Sequence, residues 1–208
     1  SNPNIYPYNV FRGKEIEPFV FSKITVLYGN NGSGKSTFAL RYLPDYAGSI
    51  EYVNPDLVAQ GLSPTDIRLS AIKAGKLTLE RISELIGADT SFAFETTLSG
   101  RGHLRLLSDA KARGYLIALY YLWMPEPAAL PLRISHRVLA GGHDVPTADV
   151  MRRYVRSSAN VREYAALADS VLVFYAVPAI QRLIYRRNGD SLVLDPALAV
   201  PMRKELGI

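Results

Sequence analysis

Gly29-Asn30-Asn31-Gly32-Ser33-Gly34-Lys35-Ser36-Thr37 is the stretch that decides how this chain folds. It has the form G-x-x-x-x-G-K-[ST], a glycine loop whose backbone N–H groups converge on phosphate oxygens. Its flanks agree with it. Lys23-Ile24-Thr25-Val26-Leu27-Tyr28 is an apolar, β-rich run, and Phe38-Ala39-Leu40-Arg41-Tyr42-Leu43 continues as a helix that Pro44 ends. Strand, loop, helix is the context this motif requires. The helix N-terminus adds roughly half a positive charge where phosphate would sit. All nine residues are therefore expected to bind nucleotide, with Lys35 on the β/γ-phosphates and Ser36 holding Mg²⁺ beside ATP.

Working outward, the 208 residues suffice for one domain with a lid, and no apolar run approaches the ~18 residues of a membrane span. The chain has no cysteine, which removes disulfides and thiolate metal sites and fits a reducing, cytoplasmic setting. Its net charge of +5 would suit an acidic partner, but the arginines gather in one stretch. A phosphorylated small molecule explains that better than a nucleic acid.

Ser49 to Val53 reads as a second strand that Asn54-Pro55 stops, leaving Asp56 at the strand's C-terminal edge, where open α/β sheets bind ligands. Asp56 could equally cap the next helix. Ser63-Pro64 then opens a long helix to about Ile86, with Ile72, Leu79, Ile82 and Ile86 expected in the core. Thr90 to Phe94 is a third strand ending in Glu95-Thr96-Thr97, and His103 to Arg113 a short helix. Leu98-Ser99-Gly100-Arg101-Gly102 matches a transporter-ATPase signature loop, but the acidic strand end that should follow is missing, so the match is chance. Tyr115 to Leu122 reads as a central strand, with Trp123 in the core, and Asp169 to Tyr175 as a fifth strand. An edge hairpin turned by Asn188-Gly189 follows.

Between them lie helices over Pro127–Ala140 and Thr147–Ala166, broken at Gly141-Gly142 and rich in arginine, with no lysine. Arginine's planar fork suits phosphate, and such a pair would serve as a phosphate-clamping lid. The expected architecture is a three-layer α/β/α P-loop NTPase with a mostly parallel central sheet. It forms a single unit over 1–208, with 127–166 as helical lid and 178–208 as C-terminal edge hairpin and tail.

Phosphoryl transfer needs a phosphate cradle, a metal, a group that activates the acceptor and positive charge on the transferring phosphoryl. Asp56 is a candidate base, Arg137 with Arg152 or Arg153 could supply the charge, and Glu95 and Thr97 could fix the acceptor. Lys35, Asp56, Arg137 and Arg153 make up the expected catalytic set. Glu95, Thr97, Arg101, His143 and Arg152 are expected on the substrate. A regulatory ATPase, or a kinase for another small hydroxyl compound, are the alternatives.

The ordered set Gly29–Thr37, Asn54-Pro55-Asp56, Phe94-Glu95-Thr96-Thr97-Leu98 and Arg133…Arg137…Gly141-Gly142-His143-Asp144-Val145-Pro146…Arg153-Tyr154 resembles the zeta-toxin family of P-loop kinases over about residues 22–175. The resemblance implies an ATP- and Mg²⁺-dependent kinase for the amino sugar of UDP-N-acetylglucosamine. It makes Asp56 the base, puts Glu95 and Thr97 on the sugar nucleotide and Arg137 on phosphate. It also admits a separate antitoxin protein. The family's second lid arginine falls near His143, and Phe174-Tyr175-Ala176 departs from the family pattern.

Overall fold

Seven strands form one sheet in the order β2-β3-β1-β4-β5-β6-β7. In chain order these are β1 (Ile24–Gly29), β2 (Glu51–Val53), β3 (Phe92–Thr96), β4 (Ile117–Trp123), β5 (Ser170–Val177), β6 (Ile180–Asn188) and β7 (Asp190–Val193). The first five run parallel, and β6 and β7 add an antiparallel edge. This computed structural model describes residues 24–31, 33–39, 51–63, 67–139, 145–177 and 180–207, except the side chains of 67–69, 137, 177 and 180. The Gly141-Gly142 break lies outside the described residues.

Every residue of β1, β3 and β4 is buried, as expected when helices cover both faces of a parallel sheet. Alternation divides the side chains between two cores. Ile24, Val26 and Tyr28 of β1 join Ile117, Leu119, Tyr121 and Trp123 of β4 on one face. Leu27 joins Ala118, Tyr120 and Leu122 on the other. The first face is covered by α3 (Ile67–Gly87), α4 (Gly102–Ala112), α6 (Thr147–Leu167) and α7 (Pro196–Leu206). Helix α1, helical over residues 35–39, covers the second with Phe38 and Ala39. Helix α5 (Ala129–Leu139) packs on α6 through a small core of its own, Leu130, Ile134 and Val150 with Met124 and Val145.

Three features differ from the sequence expectation. Residues Pro55–Leu62 form a helix, α2, that Ser63 terminates; the helix start expected at 64–66 lies outside the described residues. Ile72 is 78% exposed, not core. The start of α3 packs on α2, where Ser70 Oγ donates to the Ala59 carbonyl at 2.8 Å, and only the stretch from Ala74 onward covers apolar surface. Residues 196–206 are a helix where a tail was expected. Asp195 caps it by accepting from Leu198 N at 3.2 Å, and Pro196 sits in its first turn.

Helix α7 is held by one carboxylate. Glu205 accepts from Tyr121 OH and Trp123 Nε1, both at 2.7 Å, and from Ser158 Oγ at 3.3 Å. The buried tyrosine and tryptophan bring polar tips into the core, and Glu205 satisfies them. The expected hairpin is present, with Gly189 at φ 72°, the left-handed value a tight two-strand turn requires.

Candidate active site

The phosphate loop leaves β1 at Gly29 and enters α1 at Lys35. Gly34 stands at φ 90°, a conformation in which a Cβ is strained. A Cβ on Gly29 would lie 2.3 Å from Ser33 Oγ and 3.2 Å from Leu122 Cβ, so the strand-to-loop exit also excludes a side chain. Lys35 Nζ donates to the Asn30 carbonyl at 3.4 Å, folded across its own loop. Asn30 Oδ1 and Ser33 Oγ are buried with no hydrogen-bond partner among the described residues.

Ser36 Oγ donates to Glu95 Oε1 at 3.0 Å and Oε2 at 3.1 Å. Glu95 lies one residue before the end of β3, next to β1 in the sheet, and is 2% exposed. Its Oε2 also accepts from Tyr52 OH at 2.8 Å. Burial first, and then the Glu95 carboxylate, raise the Tyr52 phenol well above its usual range, so it stays a donor. A hydroxyl and a carboxylate are the hard oxygen donors Mg²⁺ takes from protein when phosphates supply the rest. The residues present therefore fit the metal. Among the described residues no cluster of three or more His, Cys, Asp or Glu forms an all-protein metal cage, which this mode of binding does not require.

Helix α2 positions Asp56. Asn54 takes the capping role, its Oδ1 accepting from Asp56 N at 2.9 Å and Leu57 N at 3.2 Å. The Asp56 side chain is thus left out of the cap; it is exposed in the first turn of α2 and lines a cleft of about 290 Å³. The same cleft is lined by Asn31, Lys35, Glu95, Thr97 and Arg153. It opens at the C-terminal edge of the parallel strands, where such sheets bind ligands. Thr97 Oγ1 shares a 3.0 Å hydrogen bond with Ser99 Oγ.

Other arginines of the expected set go elsewhere. Arg152 pairs with Asp149 at 2.8 Å, and Arg101 pairs with Glu163; neither lines the cleft. Arg133 Nη1 donates to the Ala176 carbonyl at 3.1 Å, and burial lowers its pKa. Arg162 donates to the Lys204 and Glu205 carbonyls at 3.0 and 3.3 Å. Arg133 thus ties α5 to β5 and Arg162 ties α6 to α7, while Arg152 pairs within α6. Gly32, His143 and the Arg137 side chain lie outside the described residues.

Helix α6 is fastened to the loop that follows β3. Ser157 Oγ donates to the Thr97 carbonyl, Asn160 Nδ2 to the Leu98 carbonyl at 2.7 Å and Tyr164 OH to the Gly100 carbonyl at 3.2 Å. Leu98, buried at φ 51°, is a branched residue in the left-handed region, held there between Thr96 Oγ1 and Asn160.

Sequence reasoning missed Tyr52, Thr78 and His103. Thr78 shares a helical face with Ala71 and Gly75, all three lining the cleft. A run of small and hydroxyl residues at helical spacing, interrupting an apolar helix, was the available signal. His103 Nε2 is buried without a hydrogen-bond partner among the described residues. The ring stacks on Phe94 with centroids 5.0 Å apart, and burial lowers its pKa to about 4, so it is neutral at pH 7.

No family model matches the chain. An uncharacterised protein of Haemophilus influenzae is 33% identical over 126 residues, which are 61% of this chain and 88% of that protein. Among solved structures, one from the PezAT chromosomal toxin–antitoxin system of Streptococcus pneumoniae aligns with TM-score 0.60 at 16% identity, over 89% of this chain and 79% of its own. A chain of the AvrRxo1-ORF1:-ORF2 complex with ATP aligns with TM-score 0.65 at 19% identity. That alignment covers 88% of this chain and 63% of the other. At those identities the structural likeness shows the fold alone, a three-layer α/β/α P-loop fold. On the sequence relationship, the chain belongs to the family of the Haemophilus influenzae protein.

Proposed function

We propose that this protein is an ATP-dependent small-molecule kinase, transferring the γ-phosphoryl group to a hydroxyl of a sugar nucleotide such as UDP-N-acetylglucosamine. One observation carries the reading: Lys35 of the phosphate loop, Asp56, Glu95 and Arg153 line a single cleft. In this reading the loop N–H groups and Lys35 hold the β- and γ-phosphates. Ser36 and Glu95 hold Mg²⁺, which supplies charge neutralisation on those phosphates. The acceptor oxygen bonds to the γ-phosphorus as the bond to the β–γ bridging oxygen breaks. ADP leaves with that electron pair, and Asp56 takes the hydroxyl proton. Arg153, with Arg137, balances charge on the transferring group. Thr97 and its partner Ser99 present hydroxyls to the acceptor. The PezAT neighbour belongs to a toxin–antitoxin system, so a separate antitoxin is the corresponding partner proposal.

Mass spectrometry of sugar nucleotides and other small hydroxyl compounds incubated with protein, ATP and Mg²⁺ tests this. UDP-N-acetylglucosamine should gain one phosphoryl group. ADP release with no phosphorylated product would reject a kinase in favour of a hydrolase. Asp56→Asn should keep ATP affinity within about twofold and lose at least about 100-fold in transfer, the scale of general base catalysis. Transfer at the parent rate would remove Asp56 from that role.

A further inference from the structure

We propose that Thr78 and His103 form a specificity pair that hydrogen-bonds an uncharged polar group, a hydroxyl or an amide, on the acceptor. This rests on the kinase reading of the cleft and names what the pocket selects. Thr78 of α3 and His103 of α4 both line the cleft, and Thr78 Oγ1 and His103 Nε2 are buried with no hydrogen-bond partner among the described residues. Buried polar atoms are nearly always paired, so two orphans in one cavity mark a place where a ligand supplies the bonds. Ala71 and Gly75, small residues on the same face of α3 as Thr78, leave room for it.

The chemistry favours a neutral group. Three carboxylates line the cleft, Asp56, Glu95 and Asp149, against two cations, Lys35 and Arg153. Lys35 belongs to the phosphate loop and Arg153 to α6, so an anionic group at the α3–α4 wall would find no cation of that wall to pair with. A neutral imidazole offers one N–H and one lone pair, and a threonine hydroxyl offers both, which matches a hydroxyl or amide at either polarity. Stacking on Phe94 fixes the ring plane. A site built to hydrogen-bond such a group rejects analogues lacking it, because its own buried atoms are then left unpaired.

The test reads the imidazole directly. The chain has three histidines, so ¹H–¹⁵N imidazole spectra of the protein with Mg²⁺ and AMP-PNP are assignable with His103→Gln. N-acetylglucosamine, UDP-N-acetylglucosamine and myo-inositol are added in turn, then inorganic phosphate and malate. At least one neutral probe, or the sugar end of the nucleotide, should shift the His103 nitrogens saturably while the ring stays neutral. Thr78→Val, of the same shape, should raise the half-saturation about 10-fold. Saturable shifts by phosphate or malate, silence towards all three hydroxyl compounds, or an unchanged half-saturation in Thr78→Val would each overturn the pair. Response to N-acetylglucosamine or inositol but not to UDP-N-acetylglucosamine would sink the sugar-nucleotide reading and keep the pair. Failure to bind AMP-PNP would sink the kinase reading by itself.

Discussion

Replacing His103 with phenylalanine should flatten the acid side of the stability curve. The folded chain holds this imidazole at about 4, against 6.5 for an ordinary histidine. Below pH 6.5 the unfolded chain therefore binds a proton that the folded chain refuses, and stability must fall as pH falls. Most of the 2.5-unit gap is traversed between pH 7 and pH 4. At 1.36 kcal/mol per unit, the folded state loses about 3 kcal/mol over that range through this one ring. The assay is urea unfolding of parent and His103→Phe at pH 7, 5.5 and 4. Carboxylates such as Asp169, which lose their stabilising partners in acid, contribute equally to both proteins and cancel in the difference. The variant should lose about 3 kcal/mol less than the parent between pH 7 and 4. In a chain of this size that equals roughly 6–12 °C in Tm. Parallel pH profiles would show that the imidazole protonates as freely folded as unfolded, and the burial argument would be wrong.

Three further substitutions address the site and its support. Glu95→Gln removes the charge facing Ser36 and should weaken Mg²⁺ binding to the protein–ADP complex about 10–100-fold by calorimetry; an unchanged affinity would take Glu95 out of the metal site. Gly34→Ala forces a Cβ into φ 90° and within 3.2 Å of Gln181 Nε2, so ATP affinity should drop about 10-fold in equilibrium titration, whereas parent-like binding would mean the loop relaxes without strain. Glu205→Leu strands the buried Tyr121 hydroxyl and Trp123 indole, at a cost of about 3 kcal/mol. Trp123 is the single tryptophan, so its emission reports the loss during urea unfolding; a change below about 1 kcal/mol would show that water replaces the carboxylate.

The fold was legible where residues carry a local signal. The glycine loop, the unbroken apolar run of β4 and Asn188-Gly189 each fix their own backbone, and each stands where expected. Ile72 misled because helical periodicity records a face and not what covers it, and the start of α3 turns toward α2. Helix α7 was readable in Asp195-Pro196 and Gly207, a cap, a first-turn proline and a left-handed terminus, but the run between holds Pro201. In the candidate site, Ser36, Asp56 and Glu95 were legible because strand ends in this architecture converge on one edge. Tyr52 and His103 were not, since their position in the cleft depends on tertiary packing of β2 on β3 and of α4 on the sheet. Arg101, Arg133 and Arg162 were over-read: Glu163 and the carbonyls of 176, 204 and 205 are partners that chain order does not reveal.

The seams between α6 and the backbone of residues 97–101 set how this molecule can deform. With Ser157, Asn160 and Tyr164 all stitched to one strand exit, the far half of the helix and the acceptor-side rim travel as a single piece. Any swing of Arg153 relative to that piece must bend α6 just ahead of Ser157.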